Sequence, residues 1–182
     1  MEANKIEIDL RGRFMTMACD LEWSLFIIMA FAWPDPNKSK RLFQEMTMGT
    51  KIQCVIADLK KYKPEHYEQH KESLGKLWEF HEIRNAMAHH RMTIHDYGTP
   101  VLIEMNYMGD ENSFETRKSK NYTLEYINNA ILRFKELSLV FNGLAEQLRA
   151  EYLLSRGIIM QNNRITITPD WKPVEIPNLP TH

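Results

Sequence analysis

Between Thr123 and Ser155 the apolar residues Ile127, Ala130, Ile131, Phe134, Leu137, Phe141, Leu144 and Leu148 recur at helical spacing as an unusually regular stripe. No other feature of the chain restricts its fold as strongly. A helix this long with a single apolar face cannot stand alone in water; the face must be laid against other elements. The ends are marked as well. Thr123 is an N-cap residue, Glu125 places negative charge where the helix dipole favours it, and Gly157 supplies a stop.

Three further helices are predicted upstream. Residues 1–12 are polar and read as a lead-in. The first helix is expected over Arg13–Trp33, ending at the Pro34-Asp35-Pro36 breaker. Its apolar residues wrap most of the circumference, which places it near the centre of a bundle. A second helix fits Lys38–Tyr62, with Phe43, Met48, Ile52, Val55, Ile56 and Leu59 on one stripe. Pro64 suits the first turn of a third, running to about Arg91 with Leu74, Leu77, Trp78, Ile83 and Met87 inward. Residues 93–122 change character: two strands flank the turn at Gly98-Thr99-Pro100, and a third falls within 113–119. The alternation Arg164-Ile-Thr-Ile-Thr168 predicts a short strand ahead of a proline-rich tail. The fold class is thus mainly α: a four-helix bundle over residues 1–157, a small β-hairpin insertion between helices three and four, and a tail over 158–182.

A formal net charge of −1 argues against a general nucleic-acid coat, because phosphate neutralisation needs a basic excess. Contact with nucleic acid would have to be local. Cys19 and Cys54 read as buried, reduced thiols, with no secretory signal before them. The apolar run Trp23–Trp33 is about half the length of about 20 residues that a bilayer needs, so no membrane contact is expected and the location is read as cytoplasmic. Nothing in the chain suggests a cofactor: there is no glycine-rich phosphate loop, and Ser24, Ser73 and Ser138 lack a partnered base.

One segment does not look like routine bundle sequence: Phe80-His-Glu-Ile-Arg84-Asn85-Ala-Met-Ala-His89-His90. On a helix, Asn85 and His89 stand four apart and stack on one face. Arg84 and His89 are five apart, about 140° round the axis, so they cannot grip one atom side by side. The arginine stem can swing round, the helix end can unwind, or a second chain can complete a site. Arginine and histidine at a helix C-terminus can also simply face its unpaired carbonyls.

The segment resembles the signature of HEPN domains (higher eukaryotes and prokaryotes nucleotide-binding), in which an arginine and an adjacent polar residue precede a histidine by four to six intervening residues. Arg84, Asn85 and His89 match as Arg-Asn-x-x-Ala-His, and His90 matches with one more residue between. A long apolar first helix, Met48-Gly-Thr-Lys-Ile52 in the second and the motif at the end of the third look like the family's arrangement, over roughly residues 13–155. The resemblance implies a homodimer that cleaves RNA without metal. His89 would act as general base or acid, Arg84 would hold the phosphate, Asn85 would orient a neighbour, and the products would carry a 2′,3′-cyclic phosphate and a 5′-hydroxyl. It also implies a toxin or phage-defence setting with an antitoxin as partner. Proteins resembling the mannitol-operon repressor keep such an element as regulatory or scaffold dimers, and that reading stands beside the nuclease.

Two other constellations carry less. His66 and His70 form an i,i+4 pair that would bind zinc if a third ligand approached; His81 lies about 16 Å further along the helix, and His89, His90 and His95 could cluster if the chain folds back. Solvated or dipole-facing histidines are the preferred account, with no metal. Arg117, Lys118 and Lys120 form a compact basic patch near Tyr107 and Tyr122 that could guide single-stranded RNA. A solvated strand edge explains the same charges.

Overall fold

The computed structural model describes residues 2–33, 43, 45–95, 101–107, 119–161 and 164–167. Helices α1 (Glu2–Ala32), α2 (Met48–Tyr62) and α3 (Pro64–His89) are followed by strands β1 (His90–His95), β2 (Leu102–Tyr107) and β3 (Ser119–Thr123). The long helix α4 (Leu124–Ser155) comes next, then a hairpin of β4 (Ile158–Gln161) and β5 (Arg164–Ile167). The chain is mainly helical with a small three-stranded antiparallel sheet.

α1 is the hub, packed against α2, α3, α4 and β1. Phe14 of α1 stacks on Phe80 of α3 at 5.8 Å, and both meet Phe134 of α4 edge-on at 5.9 and 5.3 Å. All three rings are buried, so one aromatic knot joins three helices. The whole predicted stripe of α4 is buried. Of the stripe expected on the second helix, Met48, Ile52, Val55 and Leu59 are buried on α2, Ile56 is partly so, and Phe43, ahead of α2, is buried too.

Several expectations need correcting. The stretch read as a lead-in is helical from Glu2, because Ile6 and Leu10 turn to the core while Glu7–Arg11 and Asp9–Arg13 pair one turn apart at 2.9 and 3.4 Å. The length argument against a membrane span therefore lapses: α1 is long and apolar enough to cross one. Half of its most apolar stretch is nonetheless covered by the bundle. Cys19 is exposed and Cys54 half-buried, so neither is a core thiol. Trp78 is 41% exposed, since it sits about 100° round from Leu77, which takes the core position. The second helix begins at Met48, where the Thr47 hydroxyl accepts from the Thr50 N–H; residues 38–42 lie outside the described residues.

The second strand lies where expected and the first begins at His90, three residues early, in the register Met92↔Met105 and Ile94↔Ile103, with Met92, Ile103 and Met105 buried. The third is Ser119–Thr123, later than expected; residues 113–118 lie outside the described residues. It runs straight into α4, where Thr123 caps the helix with a 3.0 Å bond from the Tyr126 N–H. Gly157, at φ 68°, turns the chain out of α4 in the left-handed conformation that glycine adopts without strain. The strand expected near Arg164 has a partner that was not expected, β4, in the register Ile158↔Ile167.

Candidate active site at the end of the third helix

α3 delivers the motif. Its buried face (Leu74, Leu77, Phe80, Ile83, Met87) fixes the rotation of the helix, which leaves Arg84 and Asn85 half-buried at the edge of the bundle and His89 exposed. Arg84 Nη1 donates to Asn85 Oδ1 at 3.3 Å, and the Asn85 amide Nδ2 meets His81 Nε2 at 3.3 Å. If the imidazole Nε2 accepts, Nδ1 carries the proton, and Nδ1 is buried without a partner among the described residues. Gly49 at the start of α2 packs on the same Nε2 end of the imidazole, where a methyl group would stand 3.2 Å from Nε2. The Trp78 ring meets His81 at 6.1 Å, near-perpendicular. Burial first, and the Arg84 charge second, push the His81 pKa below the usual histidine value and favour the neutral ring.

Two of the three predicted catalytic residues, Arg84 and Asn85, are therefore joined directly. His89 stands one turn beyond Asn85 and its side chain makes no hydrogen bond among the described residues; the imidazole that the structure brings to Asn85 is that of His81. The spacing His81-x-x-x-Asn85 was the available signal for it.

The helix ends at His89, two residues short of the expected Arg91. His90 is extended (φ −93°, ψ 145°), with its N–H closing the last turn on the Ala86 carbonyl. The reason comes from α1. Arg11 Nη2 donates to the His90 carbonyl at 2.7 Å and Nη1 donates to the Met87 carbonyl, while Nε is held by Glu7 at 2.9 Å. A guanidinium from the supposed lead-in thus satisfies carbonyls that a helix end leaves open. Burial, then His89, then Arg11 lower the His90 pKa.

The basic patch is described only at Lys120, which is exposed and ion-paired with Glu82 of α3; Arg117 and Lys118 lie outside the described residues. Tyr122 stacks on Tyr126 at 5.4 Å, so one of its faces is already taken. His66, read as half of a zinc pair, is buried and meets Glu151 of α4 at 2.7 Å, while Lys63 reaches the same carboxylate at 2.9 Å. Burial works to raise the Glu151 pKa, but the bonds from Lys63 and His66 outweigh it and hold the carboxyl below its usual value. No group of three or more metal-donor side chains forms among the described residues. A groove of about 370 Å³ lies between Cys19, Glu22, Trp23, Phe26, Phe43 and Lys51, and none of the predicted site residues lines it.

Compared with models of protein families, with curated proteins and with solved structures, the chain matches none.

Proposed function

We propose that the chain is an endoribonuclease of the HEPN type, acting on RNA through Arg84, Asn85 and His89. The observation that carries this reading is the bonded series Arg84–Asn85–His81. It aims an arginine fork at the edge of the bundle and fixes the amide beside it before any substrate arrives. Phosphate is the ligand for which such a fork is suited, through paired N–H donors. His89, exposed one turn away, is the side-chain type that exchanges protons near neutrality.

In the reaction, a base takes the proton from a ribose 2′-hydroxyl, the 2′-oxygen bonds to phosphorus, and the bond to the 5′-oxygen breaks. An acid returns a proton to that oxygen, leaving a 2′,3′-cyclic phosphate and a 5′-hydroxyl. One histidine can serve as base and another as acid, and two copies of the chain would supply both His89 side chains. This chemistry needs no Lewis acid. A toxin or phage-defence setting, with an antitoxin protein as partner, goes with the same reading.

The test uses single-stranded and structured RNA. The wild-type protein should cleave in chelator and leave cyclic-phosphate ends, while Arg84→Ala and His89→Ala should each lower the rate by about 10²- to 10⁴-fold with the fold intact. A His90→Ala variant that loses activity while His89→Ala keeps it would move the assignment to His90. Wild-type protein that leaves all of these RNAs intact would overturn the reading.

A second reading, a non-catalytic regulatory or scaffold dimer, is favoured by one observation. Leu132, Leu139, Val140 and Leu154 are exposed along the outward side of α4, with Leu139 65% exposed. Such a line on a long helix suits a protein partner. Inert wild-type protein with twice the chain mass in light scattering would select it.

A further inference from the structure

We infer that Arg11 is a positioning residue for the motif, a clamp from α1 that holds the α3–β1 junction and so fixes where His89 and His90 stand. The kinetic part of this inference rests on the nuclease reading above; the structural part does not.

His89 ends α3 and His90 begins β1, so both histidines sit where the backbone changes from helical to extended. A helix end of this kind frays readily, because its last carbonyls have no donors within the helix. Here the Met87 and His90 carbonyls, which bracket His89, both receive N–H groups from a single guanidinium. The fork is planar and its two nitrogens are at a fixed separation, so it sets the distance between the two carbonyls as well as satisfying each. Arg11 is itself fixed: Glu7 holds Nε, and Leu10 and Phe14 on the same helix are buried in the core. The motif end of α3 is thereby tied to the most central helix in the molecule.

Arg11 also acts electrostatically on what it positions. The charged and titratable groups near His90 are Arg11 from α1, whose Nε is held by Glu7, and the adjacent His89, while Arg91 points to the opposite face of the strand. Across β2 its partner in register is Tyr107. With burial and His89, the guanidinium charge favours the neutral imidazole at position 90.

The test compares wild type, Arg11→Ala and Arg11→Lys by three readouts: amide exchange at residues 89–91, the NMR titration of the His90 ring (assigned with His90→Ala), and cleavage kinetics. Arg11→Ala should exchange faster at those amides and titrate His90 at a higher pH. Its kcat should fall about 10- to 100-fold with KM little changed, as a misplaced catalytic group does. A lysine supplies charge but has neither the planar fork that fixes the carbonyl spacing nor the Nε that Glu7 holds, so Arg11→Lys should restore the His90 titration more than the exchange protection or kcat. Should Arg11→Ala fail to fold, Arg11→Lys decides alone: wild-type protection and kcat in that variant would overturn the clamp. Unchanged exchange and titration in a folded Arg11→Ala would do the same. Wild-type protein that cleaves no RNA, with exchange and titration moving as stated, leaves the clamp standing and removes only the nuclease.

Discussion

Gly49 and His81 meet so closely that a single methyl group tests the polar series. A Cβ at position 49 would stand 3.2 Å from His81 Nε2, the atom that meets the Asn85 amide. Alanine in place of helical glycine ordinarily gains about 1 kcal/mol. Gly49→Ala should gain less than that on thermal unfolding, because the imidazole must retreat from both the methyl group and Asn85. The Asn85 side-chain amide resonances should shift; a full gain in stability with those resonances unmoved would show that His81 is not held there. Residue spacing pointed to Arg84 and Asn85, which the structure joins, and to His89 one turn beyond; the imidazole at Asn85 is instead that of His81, four residues before it. Arg11 was not legible. Its partners are backbone carbonyls 76 and 79 positions away, and a carbonyl carries no residue identity for a pattern to use.

Helix boundaries were read best where a side chain itself makes the boundary. Thr123 is the clearest case: its hydroxyl caps α4, it pairs with Leu102 at the end of β3, and the next N–H, of Leu124, bonds to Val101 at 3.0 Å. Thr123→Ala should cost about 1 kcal/mol in chemical denaturation, the usual worth of an N-cap. A loss of less than a few tenths would mean that the strand pairing alone positions the helix start. Pro64 and Gly157 were legible in the same local way. Two of the misplaced boundaries depend on distant partners. α1 extends through its charged first turns because Ile6 and Leu10 find a core built by other helices, and α3 ends early because α1 supplies donors for its last carbonyls. The local segments contain neither fact.

For the molecule as a whole, the histidines set the direction of its response to acid. His70, His81 and His90 all have pKa values lowered from 6.5, chiefly by burial. The unfolded chain therefore binds more protons than the folded one below about that pH, and the stability these groups contribute is present above it and lost on acidification. The thermal midpoint should be lower at about pH 5.5 than at about pH 7.5. Replacing His81 with glutamine, which does not titrate, should narrow that difference; an equal or wider gap would show that burial of this ring contributes nothing. The long helices among the described residues, the buried α4 stripe and the sheet between α3 and α4 were all legible, because each is announced by a local pattern. How the helices close on one another was not.

That closure has a consequence for the order in which the chain is made. α1 leaves the ribosome well before α4, yet its bonds to α4 join residues far apart in sequence, Arg13 to Asn128 at 115 positions and Ser24 to Asn142 at 118. At roughly 5–20 residues per second, translation leaves the apolar face of α1 without its main cover for on the order of ten seconds. During that interval the exposed face is prone to the aggregation that chaperones exist to prevent, and a chain cut short before α4 lacks the element that covers it.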